Sequence, residues 1–264
     1  MCGIACTMFA PSADTAQRKN GAAVFTANLK ANEARGKDAS GVLLLRKDGS
    51  YLIEKAPVRA TEFVEHKGYQ KIIDGVDNDC VLLLGHTRRP TKGTVTNTNN
   101  NHPIVRGGTI GVHNGTISND DEIFNHHLQA GTDSRIGSVD SEAIFALIDE
   151  TPYQRTLTRH SETLSELSQL LLGSYTTLYT QPVDPYRLYL LKYNNPISVH
   201  YSPQHRSLFF SSRYVFLRKA FGRAVITECL PSRFGYIFDA RLLVRRKKTP
   251  LLSFPLAQQS DILA

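Results

Sequence analysis

The chain begins Met1-Cys2-Gly3-Ile4-Ala5-Cys6-Thr7-Met8-Phe9, and this stretch predicts a buried strand with a candidate nucleophile at its start. The segment is short and apolar and is followed closely by Pro11-Ser12, which is typical of a strand. Met1 is removed efficiently only when the next side chain is small, as that of Cys2 is. Removal would leave a thiol and a free α-amine, with an ordinary pKa of about 7.7–8.0, on one residue. Cys2 would then supply both a nucleophile and the base that activates it.

Length and composition narrow the class of protein. The 264 residues are enough for one large domain or two small ones, and no apolar run approaches the ~20 residues that span a membrane. The N-terminus lacks a basic region followed by an apolar stretch, so we expect no signal peptide and a cytoplasmic location. The four cysteines, Cys2, Cys6, Cys80 and Cys229, form neither a disulfide framework nor a zinc motif. We therefore expect no structural metal, no cofactor and no membrane association.

The net charge of +7 is concentrated in the run Arg241–Lys248. Such a run occurs in patches that bind nucleic acid or acidic partners, and also at solvated ends of strands. Aromatic residues are not interleaved with it, as a platform for stacking bases would require. We therefore expect a solvated strand end and no binding of nucleic acid.

Strand patterns at both ends of the chain enclose a largely helical middle. A helix is predicted from Asp14 to Arg35, and the Asp48-Gly49 pair predicts a hairpin. Further helices are expected at Glu122–Leu128, Ser141–Ile148, Ser161–Leu172 and Val215–Ala220. Further strands are expected at Cys80–Leu84, Thr109–His113, Ser174–Thr180, Arg187–Tyr193, Ile197–Tyr201, Leu208–Ser211 and, as the last, Tyr236–Leu243. This order favours an α+β fold over a doubly wound sheet.

Four short segments contain the candidate functional residues and are considered together: Cys2-Gly3-Ile4, Arg35–Gly41, Gly85-His86-Thr87-Arg88 and Val112–Asn119. Each also has a purely structural interpretation. Arg35-Gly36 is a typical C-terminal end of a helix with its glycine cap, and Arg88 a typical surface ion-pair partner. Asn114-Gly115 is also the commonest hairpin turn, and we expect the Thr109–His113 strand to end in it.

In this order and spacing the segments resemble the class II glutamine amidotransferase domain, a member of the N-terminal nucleophile hydrolases. The resemblance extends to Asn99-Asn100-Asn101-His102-Pro103 and to Asp140-Ser141-Glu142. It covers residues 2–220, and we expect residues 1–264 to form one such domain with 221–264 as a C-terminal extension. The family fold that it implies is a four-layer αββα sandwich of two antiparallel sheets.

The resemblance assigns the chemistry to three residues. Cys2 attacks the side-chain amide of glutamine, and its α-amine takes the thiol proton and later returns one to the departing ammonia. The Asn114 carboxamide and the Gly115 backbone N–H form the oxyanion hole. Supporting residues that order the N-terminus are Gly3, Arg35 and Gly36.

The two ends of the substrate are assigned to opposite charges. Arg88 matches the family's anchor for the glutamine carboxylate, and Thr91 falls where the family's loop adds a contact to it. Asp140 matches the anchor for the α-ammonium group. Clamps of opposite charge at both ends would reject most other amides.

The sequence departs from the family just after Arg88. Relatives commonly read Thr-Arg-Trp-Ala-Thr-His-Gly, whereas this chain reads Thr87-Arg88-Arg89-Pro90-Thr91-Lys92-Gly93. Two cations replace an aromatic residue and a histidine, and Pro90 stiffens the loop. Closure of this loop over glutamine depends on these positions, whereas anchoring by Arg88 does not.

Three functions are compatible with these residues. The first is a glutaminase subunit that hydrolyses L-glutamine and supplies ammonia to a separate synthetase subunit, because no synthase module follows residue 220. The second is a γ-glutamyl amide or peptide hydrolase, because such substrates share the clamped end. The third is a non-catalytic binding or regulatory subunit that keeps the fold. A homo-oligomer is compatible with each of them.

Overall fold

The computed structural model describes residues 1–127, 135–151 and 156–258. The described strands are β1 (Gly3–Phe9), β2 (Ala39–Arg46), β3 (Tyr51–Ala56), β4 (Cys80–Arg88), β5 (Ile104–Arg106), β6 (Thr109–Ile117), β7 (Gly173–Thr180), β8 (Arg187–Tyr193), β9 (Ser198–Ser202), β10 (Ser207–Ser211), β11 (Glu228–Cys229), β12 (Phe234–Asp239) and β13 (Leu252–Pro255). The described helices are α1 (Thr15–Asn32), α2 (Ala60–Phe63), α3 (Lys67–Asp74), α4 (Asp120–Glu122), α5 (Ser141–Glu150), α6 (Leu157–Ser168), α7 (Tyr214–Phe221) and α8 (Leu243–Arg246).

The strands form two sheets. The first has the order β11-β9-β10-β1-β4-β2-β3, and the second has the order β13-β12-β8-β7-β6-β5. Neighbouring strands in both sheets are paired antiparallel. The hairpin of β2 and β3 and the helix α1 follow the sequence prediction closely, with α1 ending at Asn32 before a 3-10 turn over Glu33–Arg35.

The two sheets pack face to face between layers of helices. In β1, Ile4, Cys6 and Met8 pack toward the second sheet, while Ala5 and Phe9 pack with the helices on the other side. This alternation is what a strand with period two and two buried faces produces. The outer face of the second sheet is covered by α5 and α6 in another core cluster. The predicted α+β fold, a four-layer αββα sandwich, is confirmed.

The N-terminal strand lies inside the first sheet rather than at its edge. β1 pairs on one side with β10, with Ala5 opposite Ser211, and on the other with β4, with Gly3 opposite Thr87. Backbone pairing on both sides fixes the start of β1, which an unpaired terminus would not be. The residue before Gly3 is therefore presented at a defined point of the sheet.

Two strands extend further than the sequence predicted. β4 continues past Leu84 to Arg88, so Arg88 ends a buried strand. β6 continues through Asn114-Gly115 to Ile117, and the predicted turn at this pair is wrong. The reason is the partner strand, because β7 keeps pairing with β6 as far as Ile117.

The C-terminal prediction is also wrong. The strand expected over Tyr236–Leu243 ends at Asp239, whose carboxylate accepts a hydrogen bond from the Arg241 N–H at 2.9 Å and starts a 3-10 turn. The basic run Arg241–Lys248 is therefore not a strand end but contains helical turns, including α8. One more strand, β13, follows and pairs with β12.

Two further observations concern the described ranges. No helix in them combines the length and the apolar character needed to cross a bilayer. The helix expected at Glu122–Leu128 corresponds to the short α4 followed by a π-type turn over Ile123–His127, and Leu128 lies outside the described residues.

Candidate active site

The candidate site lies where the start of β1, the end of β4 and the last half of β6 meet. β1 and β4 belong to the first sheet, and β6 of the second sheet packs against both. The Cys2 backbone N–H donates to Asn114 Oδ1 at 3.2 Å, which joins the two sheets at the nucleophile. A second bridge joins His86 Nε2 to the His113 carbonyl oxygen at 2.9 Å.

The Cys2 thiol is half-buried, with its Sγ 3.5 Å from the Arg89 carbonyl oxygen. Burial raises the pKa of this thiol, and the positive charges of Arg88 and the N-terminus offset that effect only in part. The thiol is therefore protonated at neutral pH. Because only the thiolate is nucleophilic, reaction at Cys2 needs a neighbouring base.

Asn114 combines a bonded oxygen with an unused donor. The residue is fully buried, and while Oδ1 accepts from Cys2, its Nδ2 has no acceptor among the described residues. Buried donors without an acceptor are rare and costly, so such a group needs an explanation. A donor on the same carboxamide that binds the nucleophilic residue suits a developing oxyanion.

The next residue, Gly115, has a backbone conformation that only glycine adopts readily. Its φ is +153°, and a Cβ at this position would overlap the Ser174 carbonyl oxygen. A side chain here would therefore be both strained and obstructed. The residue also lines the cavity beside Cys2.

Asp140 presents a buried carboxylate without a cationic partner among the described residues. It is 5% exposed and forms the N-cap of α5. Oδ2 accepts from the Ile117 N–H at 2.8 Å, and Oδ1 accepts from the Ser141 N–H at 2.9 Å. The Ser141 hydroxyl also donates to Oδ1, at 3.4 Å. These bonds fix the carboxylate and leave a lone pair on Oδ2 for a further donor.

Arg88 is bound by the loop that follows it. It is 3% exposed, and its terminal nitrogens donate to the carbonyl oxygens of Lys92 at 2.6 Å and Gly93 at 2.9 Å. They also donate to the Thr94 carbonyl oxygen at 3.3 Å and to Asn101 Oδ1 at 2.8 Å. The terminal nitrogens of a guanidinium group carry four N–H groups, and here each has an acceptor within the chain. The sequence did not predict Asn101 as one of these acceptors, although it lies in the quoted Asn-rich segment.

A small cavity joins most of the predicted site residues. It is lined by Cys2, Arg88, Arg89, Thr91, Lys92, His102, His113, Gly115, Val139, Asp140 and Ser141. Its free volume is about 20 Å³, roughly the space of one ordered water. Thr91 lies exposed at its rim.

The supporting residues surround the start of β1. Arg35 donates from Nε to the Cys2 carbonyl oxygen at 2.6 Å and is itself buried. Gly36 lies against the peptide that joins Arg88 to Arg89, where a Cβ would come within 2.7 Å of the Arg88 oxygen. Gly3 is paired with a β4 residue in the first sheet. Each of the three therefore contacts either β1 or the end of β4.

Three buried histidines form the wall behind the cavity, and no role for them was predicted. The rings of His86 and His102 lie 4.1 Å apart, and His113 Nδ1 is 2.8 Å from Ser141 Oγ. Burial lowers the pKa of His86 to about 3 and also lowers the pKa of both His102 and His113. The three rings are therefore neutral at physiological pH. The sequence signal for these histidines was their place in the motifs that carry the family resemblance, where His86, His102 and His113 all occur.

Lys92 ties the loop to the segment after β6. Its Nζ lies 2.6 Å from Asp120 Oδ2 and 3.2 Å from Asp121 Oδ1. Arg135 also binds Asp120, at 2.9 Å. The sequence showed Lys92 as a departure from the family, but nothing in it indicated these partners.

Comparison with known proteins gives a consistent set of relatives. No family model matches the sequence. Glutamine–fructose-6-phosphate aminotransferase from Staphylococcus epidermidis is 32% identical over 173 residues, which make up 65% of this chain and 27% of that protein. The enzyme of the same name from Aeropyrum pernix is 31% identical over 200 residues, or 75% of this chain and 30% of that protein. The chain thus spans less than a third of the length of these curated relatives.

Solved structures share the fold. Glutamine phosphoribosylpyrophosphate amidotransferase from B. subtilis aligns with a TM-score of 0.68 at 16% identity, covering 97% of this chain and 49% of that one. A glutamine aminotransferase class-II domain protein from Silicibacter pomeroyi aligns with a TM-score of 0.58 at 11% identity, covering 97% and 99%. The alignment with the second protein extends over nearly the whole of both chains.

Proposed function

This chain belongs to the class II glutamine amidotransferases, and we propose that its Cys2 hydrolyses L-glutamine to glutamate and ammonia. The observation that carries the proposal is the contact of Cys2 N with Asn114 Oδ1 at 3.2 Å, beside a carboxamide donor that has no acceptor in the described chain. The Asp140 carboxylate lines the same cavity as the thiol. A nucleophile, an oxyanion donor and an unpaired anion around one cavity fit cleavage of an amide that carries an ammonium group.

The reaction begins after Met1 has been removed. The α-amine of Cys2 accepts the thiol proton, and the thiolate adds to the carbon of the glutamine side-chain amide. The tetrahedral intermediate expels ammonia as the amine returns a proton to the leaving nitrogen. A thioester remains on Cys2, and a water that gives up a proton to the amine hydrolyses it to glutamate and the free thiol. The raised pKa of the buried thiol makes this base necessary.

The oxyanion of both tetrahedral intermediates is stabilised by Asn114 Nδ2 and the Gly115 N–H. The bond from Cys2 to Asn114 Oδ1 orients the carboxamide so that its nitrogen is the free donor. The absence of a side chain at Gly115 allows the substrate to approach the backbone. Hydrogen-bond donors that the fold already holds in position stabilise the oxyanion more than water does, because they need not reorient during the reaction.

The two ends of glutamine are bound by opposite charges. Asp140 takes the α-ammonium group, which supplies the cationic partner that the described chain does not. Arg88 and Thr91 take the α-carboxylate. In the described structure the terminal N–H groups of Arg88 are occupied by the chain itself, so this step requires the loop after Arg88 to shift.

The ammonia is passed to a separate synthetase subunit, with residues 1–264 acting as a single glutaminase domain. The alignment with the class-II domain protein from Silicibacter pomeroyi, which covers 97% of this chain and 99% of that one, supports a single fold unit over these residues. The longer relatives are named for transfer to fructose 6-phosphate, and this chain matches less than a third of their length.

The test is the release of ammonia and glutamate from purified protein whose loss of Met1 has been verified by mass spectrometry. Wild type is compared with Cys2→Ala, alone and with candidate partner subunits, and γ-glutamyl peptides are offered in parallel. Turnover of glutamine that Cys2→Ala abolishes, with folding preserved, is the expected result. Preferential turnover of γ-glutamyl peptides would make the protein a γ-glutamyl hydrolase instead. Absence of turnover in every combination would indicate a non-catalytic subunit.

A further inference from the structure

We propose that Lys92 is a latch that holds residues 89–94 closed over Cys2, with the carbonyl oxygens of this loop occupying Arg88 until glutamine displaces them. The inference rests on the proposed function, because it assigns Arg88 to the substrate carboxylate. Lys92 is in this account a positioning residue and not a catalytic one.

Arg88 is bound by the loop that the proposal concerns. Three of its four acceptors are carbonyl oxygens of Lys92, Gly93 and Thr94, all within the loop. A substrate carboxylate binds a guanidinium group most strongly through two parallel N–H groups. Because the terminal N–H groups of Arg88 already bind the loop, a substrate carboxylate can pair with them only after the loop carbonyl oxygens move away.

The cavity beside Cys2 is too small for glutamine. A free volume of about 20 Å³ holds roughly one water, and a glutamine molecule is several times larger. Arg89, Thr91 and Lys92 of the loop form one side of this cavity. On the other side, Arg88, His113, Gly115 and Ser141 lie in β4, β6 and α5, and Cys2 lies directly before β1. His102, Val139 and Asp140 lie in the segments that lead into β5 and α5. Enlargement of the cavity for glutamine therefore comes from the loop.

The loop is held in place by the contact between Lys92 and Asp120. The Lys92 ammonium group lies 2.6 Å from Asp120, a carboxylate that is 5% exposed, while its own carbonyl oxygen accepts from Arg88 at 2.6 Å. One residue thus connects the substrate anchor to the segment that follows β6. Asp121 is largely exposed, so its contact with Lys92 adds little. The contact with the buried Asp120 is the one expected to matter, because charge-assisted bonds of low exposure are the stronger ones.

The consequence is that binding of glutamine competes with an internal contact. A protein whose binding-competent state is only partly populated shows an affinity reduced by that fraction. Weakening the latch raises the population of the open loop, so Cys2 becomes more accessible and the KM for glutamine falls.

The experiment compares wild type with Lys92→Met, which keeps the length of the side chain but not its charge, and with Lys92→Arg as the charge-retaining control. The rate of alkylation of Cys2 by iodoacetamide is followed by peptide mass spectrometry at low and high salt. Cys229, which is exposed and remote in sequence, reports the intrinsic rate in each sample. KM and kcat for glutamine are measured separately, so that the proposed function and the latch are tested by different readouts.

For Lys92→Met we expect Cys2 to be alkylated about ten-fold faster, as loss of roughly 1.4 kcal/mol of closed-state stability implies. The KM for glutamine falls, and the Lys92→Arg protein stays close to wild type. Because Asp120 is buried, salt screens this ion pair only in part, so it accelerates alkylation of wild type less than the Lys92→Met substitution does, and it does not accelerate alkylation of Lys92→Met. A wild-type alkylation rate in Lys92→Met, or a KM that rises, would overturn the latch whether or not glutamine turnover is observed.

Discussion

The cavity wall that carries Cys2 and Asn114 is held by two β-sheets, whereas the opposite wall, residues 89–94, is held by side chains. Cys2 precedes a strand paired on both sides, and Asn114 lies within β6, opposite Thr176 of β7. The loop has no such pairing and is held by bonds from the side chains of Arg88, Lys92 and Asn100, the last donating to the Thr94 carbonyl oxygen at 2.9 Å. The chemistry therefore sits on a scaffold that the whole core stabilises, while access to it depends on a few polar contacts.

Because the two walls are held differently, substitutions in them are expected to have different effects. Changes in the sheet-held wall are expected to lower the rate of the chemical step with little effect on access. Changes among the contacts that hold the loop are expected to alter access and substrate affinity. Asn114→Ala tests the sheet-held wall directly, whereas Asp140→Asn tests the substrate anchor at the start of α5, and the buried histidines behind the cavity bear on stability.

Asn114→Ala is expected to lower kcat for glutamine by ~10²–10³, the usual loss when one oxyanion donor is removed. The physical reason is the loss of the unused Nδ2 donor beside Cys2. The matched control is Asn195→Ala, because Asn195 Nδ2 donates to the Asn114 carbonyl oxygen at 3.2 Å without touching its side chain. Steady-state kinetics on both proteins check the prediction, and equal losses in the two would contradict it.

Asp140→Asn is expected to raise the KM for glutamine by ~10–100-fold, since a hydrogen bond to a charged group contributes about 1.5–3 kcal/mol. The asparagine oxygen can keep the cap bond from the Ser141 N–H, but the substitution removes both the charge that pairs with the α-ammonium group and the acceptor for the Ile117 N–H. Asp239→Asn is the control, because Asp239 caps a turn in the same way through the Arg241 N–H. If Asp239→Asn moved KM as far as Asp140→Asn, the assigned role of Asp140 would be wrong.

The histidine wall predicts a stability that falls in mild acid. The pKa of His86 is lowered to about 3, and those of His102 and His113 are lowered as well, all by burial. The unfolded chain takes up protons on these rings below its ordinary pKa of about 6.5, whereas the folded chain does not. Stability is therefore fully present above about pH 6.5 and is lost as the pH falls below it, with the contribution of His86 lost down to about pH 3. The loss is up to about 1.4 kcal/mol per pH unit for a histidine that stays neutral in the folded chain. Urea denaturation at pH 7, 6 and 5 measures this loss, and a midpoint that stays constant or rises on acidification would contradict it.

Sequence reasoning found the sheet-held wall because each of its residues lies in a short local motif. Cys2, Asn114-Gly115 and Asp140 were predicted from such motifs. Cys2, Gly115 and Asp140 line one cavity together with Arg88, and Asn114 is hydrogen-bonded to Cys2. The four-layer fold was likewise predictable, because the order of strands and helices and the family resemblance point to the same architecture.

The features that were missed or predicted wrongly depend on contacts between distant parts of the chain, which no local sequence pattern encodes. The pair Lys92 and Asp120 is separated by 28 positions and forms only because the loop and the end of β6 meet in the folded chain. The turn expected at Asn114-Gly115 was wrong because a partner strand extends past it, and local turn preference is weaker than a continuous ladder. The basic run was misassigned because Asp239 caps a turn just before it.

The most direct test of the central claim is labelling by the glutamine analogue that carries a diazoketone in place of the side-chain amide. Protein from which Met1 has been removed is treated with the L-analogue, with and without excess glutamine, and its cysteine peptides are mapped by mass spectrometry. The account predicts that Cys2 is labelled, that glutamine protects it, and that the exposed Cys229 is not labelled. Labelling of Cys229 in preference to Cys2, or a Cys2 that stays unmodified, would contradict it.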